Sequence, residues 1–248
     1  MTITFVTAFI DLCEERDKRH THASRFSHFK ELVSTGINIH LFLSNSYRNM
    51  YEHTIKNSPN VHVECIELKE LTTYKDLINV QYTLPSTDNP TKDTANYHIL
   101  NSAKIEFVER AIRQNVFPAE HYAWIDFSIG HVFSRPNKTY KYLKDISMKS
   151  DLLLDRLYFP GCWPSNYGVN QLFSRISWRF CGGFFVGDCA SLLKFSELYR
   201  AKFKNIVQKN GVLPWEVNIW HYLEVYEGFS PTWFAADHND SIVEFFTR

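Results

Sequence analysis

The chain lacks a net charge: 27 basic residues offset 27 acidic ones across 248 residues. Bulk charge therefore gives no support to a nucleic-acid partner. It also lacks any apolar run near the ~20 residues of a membrane span, so no transmembrane segment is expected. The start, Thr2-Ile-Thr-Phe-Val6, has no basic stretch ahead of an apolar one, which argues against a secretory signal. Cysteine is scarce: Cys13, Cys65, Cys162, Cys181 and Cys189 are odd in number, widely spaced and without a CxxC pair. That pattern predicts free thiols in a reducing compartment rather than a disulfide frame or a zinc site, and hence a cytoplasmic protein. Three signatures are missing as well. Without GxGxxG or GxxxxGK[ST], a dinucleotide-dependent dehydrogenase and a P-loop NTPase are disfavoured. Without GxSxG, a serine hydrolase has no support. No linker and no internal repeat divides the chain, so a single domain is expected over 1–248.

What the chain has in surplus is aromatic side chains, 16% of the total, with 20 Phe and 13 Tyr. The simpler reading is an aromatic core; the functional one is that some rings stack on sugars or bases. Thr2–Phe9, Ile37–Leu43 and Val61–Ile66 read as strands separated by helical patterns at 17–34 and 45–56. This β-α-β-α-β order predicts right-handed crossovers and a parallel sheet. A helix is predicted over 95–115, from the stripe Ile99, Ala103, Phe107, Ala111 and Ile112. His121–Ile125 is the next strand, Leu152–Leu154 a short candidate, and 158–177 a long irregular loop. Arg179–Val186 reads as a strand broken by Gly182-Gly183. Helices over 190–207 and 215–226 follow, then a strand at Thr232–Ala235 and a polar turn at Asp237–Asp240. The fold class is α/β, a Rossmann-like mixed and mainly parallel sheet flanked by helices.

Within this frame, Tyr122-Ala-Trp-Ile-Asp126-Phe-Ser128 stands out. A buried strand ends abruptly on a carboxylate, and the carboxyl ends of strands are where α/β proteins bind ligands. Asp126 is either a helix cap or a ligand for a metal or sugar. Thr7 and Ala8 end the first strand on the same side. Two glycines in a strand weaken it, so Gly182 and Gly183 mark a bulge or a close approach of a ligand to the backbone. Glu216, at a helix start, either complements the helix dipole or removes a proton from a hydroxyl. Glu224 reads as a surface charge. His238 is either an idle surface imidazole or a ligand. Lys104, Arg16, Arg19 and Arg25 are solvated helix charges or partners for a diphosphate.

The segments Phe5–Phe9, Tyr122–Phe127, Cys181–Gly187 and Trp215–Trp220, taken in that order, resemble the HtrL/YibB (WlaTC) family. More distantly the chain resembles the nucleotide-sugar glycosyltransferases of the GT-A fold. The resemblance implies a nucleotide-sugar-binding half over 1–130 and an acceptor-binding half over 131–248. It implies transfer of a sugar from a nucleoside diphosphate sugar, UDP-linked by preference, to a carbohydrate or glycoconjugate acceptor. A divalent ion, Mn2+ or Mg2+, would sit on the diphosphate, with Asp126 in the first position of an Asp-x-Asp motif. The third position here is Ser128, a departure from that motif, and His238 would complete the metal site. Thr7, Ala8 and Phe9 would line the base and ribose, with Phe127 and Ser128 beside the donor. Lys104 would lie near the donor, Gly182 and Gly183 beneath the sugar, and Glu216, as catalytic base, opposite the acceptor. Trp163, Asn166 and Tyr167 of the long loop are placed to meet an acceptor. Two alternatives share these residues: a non-catalytic carbohydrate-binding protein of the same fold, and a metal-dependent phosphohydrolase using Asp126 and His238.

Overall fold

A computed structural model describes residues 3–13, 21–55, 58–85, 92–148 and 156–247. The expected strand at Leu152–Leu154, Arg16 and Arg19 lie outside the described residues. The first three strands are β1 (Ile3–Phe9), β2 (Asn38–Leu43) and β3 (Val61–Cys65), all β-rich apolar runs as the sequence predicts. Helix α1 (His22–Ser34) joins β1 to β2 and buries Phe26, Phe29, Leu32 and Val33 on one stripe. Thr21 caps its start by accepting from the Ser24 N–H, and Gly36, at φ +76°, turns the chain back into the sheet. The short α2 (Arg48–Thr54) joins β2 to β3.

After β3 come α3 (Thr72–Leu77), α4 (Ala95–Ser102) and α5 (Lys104–Gln114). The single helix expected over 95–115 is thus two, meeting at Ala103. Strand β4 (His121–Ile125) matches its predicted bounds. Helix α6 (Pro136–Ser147) was not expected, although Pro136 in its first turn and the spacing of Tyr140, Leu143 and Ile146 carry the signal. Strands β5 (Leu157–Gly161) and β6 (Phe184–Asp188) follow, then α7 (Cys189–Asn210), α8 (Glu216–Tyr226), β7 (Thr232–Ala235) and α9 (Ser241–Glu244).

The seven strands form one sheet in the order β3-β2-β1-β4-β6-β5-β7. Only β6 runs against the others: it pairs antiparallel with β4 and with β5, while β5 and β7 are parallel. The sheet is therefore mixed and mainly parallel, with helices flanking it, as the sequence predicts. Two corrections concern its C-terminal part. Leu157–Gly161 is a strand, so the expected loop does not begin at 158: Tyr158–Gly161 pair with β7, and Pro160 is tolerated because the ladder to β6 spans only Leu157 and Tyr158. The Gly182-Gly183 pair is not inside a strand; it forms the turn that precedes β6.

Both faces of the sheet are covered, and the aromatic surplus lies there. All twelve of the largest fully buried side chains are aromatic, Trp220, Phe159 and Phe185 among them. Phe159 stacks on Phe185 at 5.0 Å and meets Trp220 edge-on at 5.1 Å, tying β5, β6 and α8 into one apolar block. No helix among the described residues is long and apolar enough to cross a membrane.

A C-terminal residue fixes one of the flanking helices. Asp240 accepts hydrogen bonds from the backbone N–H groups of Ser134 (2.9 Å) and Arg135 (3.1 Å), and from the hydroxyls of Ser134 and Thr139. It thereby caps α6 from about a hundred residues away. Burial pushes its carboxyl up, but these donors outweigh burial and hold it down at about 2. A depressed folded value stabilises the fold above the unfolded carboxyl value and loses that contribution as pH falls through the folded one. Acid titration of the wild type should show a loss of stability between about pH 4 and pH 2 that Asp240→Asn lacks, read by urea unfolding at stepped pH.

Candidate functional site

The sheet order places a topological switch between β1 and β4. The crossover from β1 leads outward to β2 and β3, and the chain then returns to the other side of β1 to form β4. Crevices at the carboxyl ends of such strand pairs bind ligands in open α/β sheets. Asp126 is the first residue past β4, so it stands at this crevice. Its backbone N–H donates to the Gly183 carbonyl (2.9 Å), which fixes it against the turn before β6.

The Asp126 side chain is 38% exposed and has two settled partners. Trp124 lies two residues back on the same strand face, and its Nε1–H donates to Asp126 Oδ1 at 2.8 Å. Lys104 Nζ lies 3.3 Å from the same oxygen. Lys104 is the first residue of α5, where a positive charge opposes the helix dipole. Its side chain is only 5% exposed, and the ammonium donates to Glu216 Oε1 (2.8 Å) and to the Gly182 carbonyl (2.9 Å). Burial alone would lower its pKa; Asp126 and Glu216 reverse that and hold it above the ordinary lysine value. Glu216, the first residue of α8, is 3% exposed and sits where a helix N-terminus favours a carboxylate. Its second oxygen, Oε2, is buried without a hydrogen-bond partner.

Gly182 makes this cluster possible. A Cβ there would lie 2.3 Å from Glu216 Oε1 and 3.2 Å from Lys104 Nζ, so any larger residue displaces the ion pair. At Gly183 a Cβ would meet Ile129 Cδ1 at 3.0 Å and Asp126 Oδ2 at 3.6 Å. The close approach inferred for these glycines is therefore made by the protein's own side chains.

The structure brings Asp126, Lys104, Glu216, Gly182 and Gly183 together, from four separate places in the sequence. It treats the other candidates differently. Thr7 and Phe9 are buried, Phe9 being stacked on Phe127 at 4.5 Å, and Ala8 is half-buried. Phe127 also stacks on Phe29 of α1 at 4.4 Å, so the Phe9 and Phe127 rings pack into the core between the sheet and α1. Ser128 is nearly buried, and its carbonyl accepts from the N–H of His131. Glu216, expected to face an acceptor, is instead buried against Lys104. His238, expected beside Asp126, packs edge-on against Trp178 at 4.4 Å and bonds its neighbour Asp237. A ring nitrogen of His238 lies within 4.8 Å of Cys162 and Cys181 sulfurs that are themselves within that range of each other.

The segment after β5 is held down by α8. Asn218 donates to the carbonyls of Leu172 (2.7 Å) and Arg175 (2.6 Å) and accepts from the Ser177 N–H (2.8 Å). His221 bonds the Ser177 hydroxyl and the Ser165 carbonyl. Glu224, expected as a surface charge, forms a two-pronged pair with Arg179 at 2.6 and 2.7 Å, both side chains largely buried. Asn218, His221 and Glu224 recur every three residues, so one face of α8 anchors the segment. Its outer part exposes Tyr167 (58%), packed edge-on against Trp163 at 4.8 Å. Sequence reasoning missed Trp124 as a hydrogen-bond donor and these anchoring residues. The three-residue spacing of polar side chains on an otherwise apolar helix was the available signal.

Residues 1–216 match the family described as a bacterial protein of unknown function, HtrL_YibB, and the chain belongs to that family. No curated protein matches the chain. Among solved structures it is similar to mouse Xyloside xylosyltransferase 1 in its apo form, at 8% identity and a TM-score of 0.47, over 96% of this chain and 86% of that one. It is also similar to a glycosyltransferase involved in the glycosylation of the major capsid of PBCV-1, at 14% identity and a TM-score of 0.46, over 96% of this chain and 82% of that one.

Proposed function

We propose that this member of the HtrL_YibB family is a glycosyltransferase. It moves a sugar from a nucleoside diphosphate sugar, UDP-linked by preference, to a carbohydrate or glycoconjugate acceptor. The observation that carries this reading is Asp126: a partly exposed carboxylate at the switch-point crevice, oriented by Trp124 and Lys104. The order of the four sequence segments that resemble nucleotide-sugar enzymes supports it.

Asp126 Oδ1 is already engaged, which leaves Oδ2 to meet a ligand. A Mn2+ or Mg2+ ion on a diphosphate needs only one or two protein carboxylates, because the phosphates and water supply the other ligands. Asp126 Oδ2 fits that modest requirement; Ser128, which is buried, offers a neutral hydroxyl where a second carboxylate would stand. When bound, such an ion would act as a Lewis acid on the leaving diphosphate. The chain's own part is positioning. Lys104 fixes Asp126 and also ties it to α8 through Glu216, so Glu216 acts as a positioning residue. The crevice beside β1, with half-buried Ala8, receives the nucleotide. The Trp163–Tyr167 pair offers flat aromatic faces to an acceptor sugar.

The test uses the purified full chain with a panel of nucleotide sugars, with and without Mn2+ or Mg2+, scoring release of free nucleoside diphosphate. Turnover should appear with one donor and fall about 100-fold in Asp126→Asn, with circular dichroism unchanged. Glu216→Gln should lower kcat while leaving KM for the donor near the wild-type value. No turnover with any donor, together with no nucleotide binding by calorimetry, overturns the reading. Release of inorganic phosphate would instead favour a phosphohydrolase.

A further inference from the structure

Three segments far apart in sequence converge one residue from the Lys104 cluster. Cys162 follows β5, Cys181 precedes Gly182, and Asp237-His238 follows β7. Their backbones are stitched together. The Cys162 N–H donates to the Trp178 carbonyl (2.9 Å), the Cys181 N–H to Pro160 (2.8 Å), and the Ala236 N–H to Gly161 (2.8 Å). The two cysteines are thus fixed by backbone hydrogen bonds just outside β5 and β6, and His238 lies two residues past the bonded Ala236, which is how a ligand set is preorganised.

The sulfur–sulfur spacing matches that of a tetrahedral ion. Zinc–sulfur bonds of about 2.3 Å at tetrahedral angles put two thiolate sulfurs about 3.8 Å apart. The Cys162 and Cys181 sulfurs are 3.8 Å apart. Cys162 Sγ lies 3.5 Å from Asp237 Oδ1, and His238 Nδ1 lies 3.2 Å from that same oxygen. A ring nitrogen of His238 and both sulfurs fall within 4.8 Å of one another.

We propose that Cys162, Cys181 and His238 bind a zinc-class divalent cation, with Asp237 at the rim of the site. Two thiols and an imidazole select a borderline-soft ion over Mg2+ or Ca2+, which prefer oxygen. The site is distinct from the Asp126 crevice and takes a different ion. It brings His238, the residue the resemblance placed with Asp126, into a sulfur-rich set. Binding would displace both thiol protons to solvent and leave the ion's charge balanced by two thiolates. Because Cys181 adjoins Gly182, the ion would also stiffen the turn whose carbonyl accepts from Lys104.

The experiment titrates the purified, reduced full chain with Zn2+, and with Co2+ as a spectroscopic probe, in the absence of any sugar donor. About one ion per chain should bind, with a thiolate-to-cobalt charge-transfer band and two thiols protected from a thiol reagent. Cys162→Ser should remove the band. His238→Ala, at an exposed position that leaves the core intact, should weaken uptake about a hundredfold or more. No charge-transfer band in the wild type, or an unchanged band in His238→Ala, overturns the proposal. So does formation of a Cys162–Cys181 disulfide in air that Zn2+ does not slow. Since these readouts involve no donor, they stand or fall apart from the transferase reading.

Discussion

Lys104→Met is expected to destabilise the protein by about 3–5 kcal/mol and to abolish activity at the Asp126 site. Among the described residues the ammonium is the sole hydrogen-bond partner of Glu216's buried carboxylate: it meets Oε1 at 2.8 Å, and Oε2 has none. Removing it leaves a buried, uncompensated charge on α8 and takes from Asp126 Oδ1 its ion-pair partner, leaving only the Trp124 donor. The desolvation penalty stays while the attraction that offset it is lost. Urea unfolding of wild type, Lys104→Met, Glu216→Gln and the double variant closes a cycle. The double variant should be more stable than Lys104→Met alone, because Gln removes the stranded charge. Additive losses would show that the pair is not coupled. The pH dependence has a definite sign. Lys104 has its folded pKa raised, so its contribution is fully present below the unfolded lysine value of about 10.4. It is lost only as the pH rises beyond that through the raised folded value. Neutral and mildly alkaline buffers should therefore leave this part of the fold intact.

Gly182→Ala should be the most damaging single-methyl change in the site. Its Cβ would stand 2.3 Å from Glu216 Oε1, well inside van der Waals contact, with Lys104 Nζ at 3.2 Å. The turn, the carboxylate or the ammonium must then move, and each of them sets Asp126. Overpacking of this kind costs about 1–3 kcal/mol. A displacement of about 1 Å in a positioning group costs about 100-fold in rate. Gly183→Ala is the matched control: its Cβ meets the flexible end of Ile129 at 3.0 Å and Asp126 Oδ2 at 3.6 Å. It should lose less stability and less activity. Equal losses in the two variants, by unfolding and by donor turnover, would mean that the ion pair does not set the geometry of the crevice.

Some of this was legible in the chain before any fold was known. β1, β2, β3, β4 and β7 follow local apolar and β-branched patterns, because strand burial is written in neighbouring residues. The carboxylate ending β4 is visible as a break in such a run. β5 was not legible, since Pro160 and Gly161 look like loop punctuation, and Pro160 sits where the ladder to β6 has already ended. The Gly182-Gly183 pair was legible as unusual but not for its reason. What crowds it is Glu216, more than thirty residues on.

By itself, then, the sequence determined the class of fold, its aromatic core, the position of Asp126 at a strand end and the family to which the chain belongs. Only the tertiary structure decided which charges meet. Lys104 and Glu216 are separated by 112 positions, and Cys181 and His238 by dozens more than any metal-spacing rule would connect. Local periodicity reflects the burial of neighbours along the chain. Ion pairs and ligand sets depend on distances of a few ångströms between elements that only the packed sheet brings together.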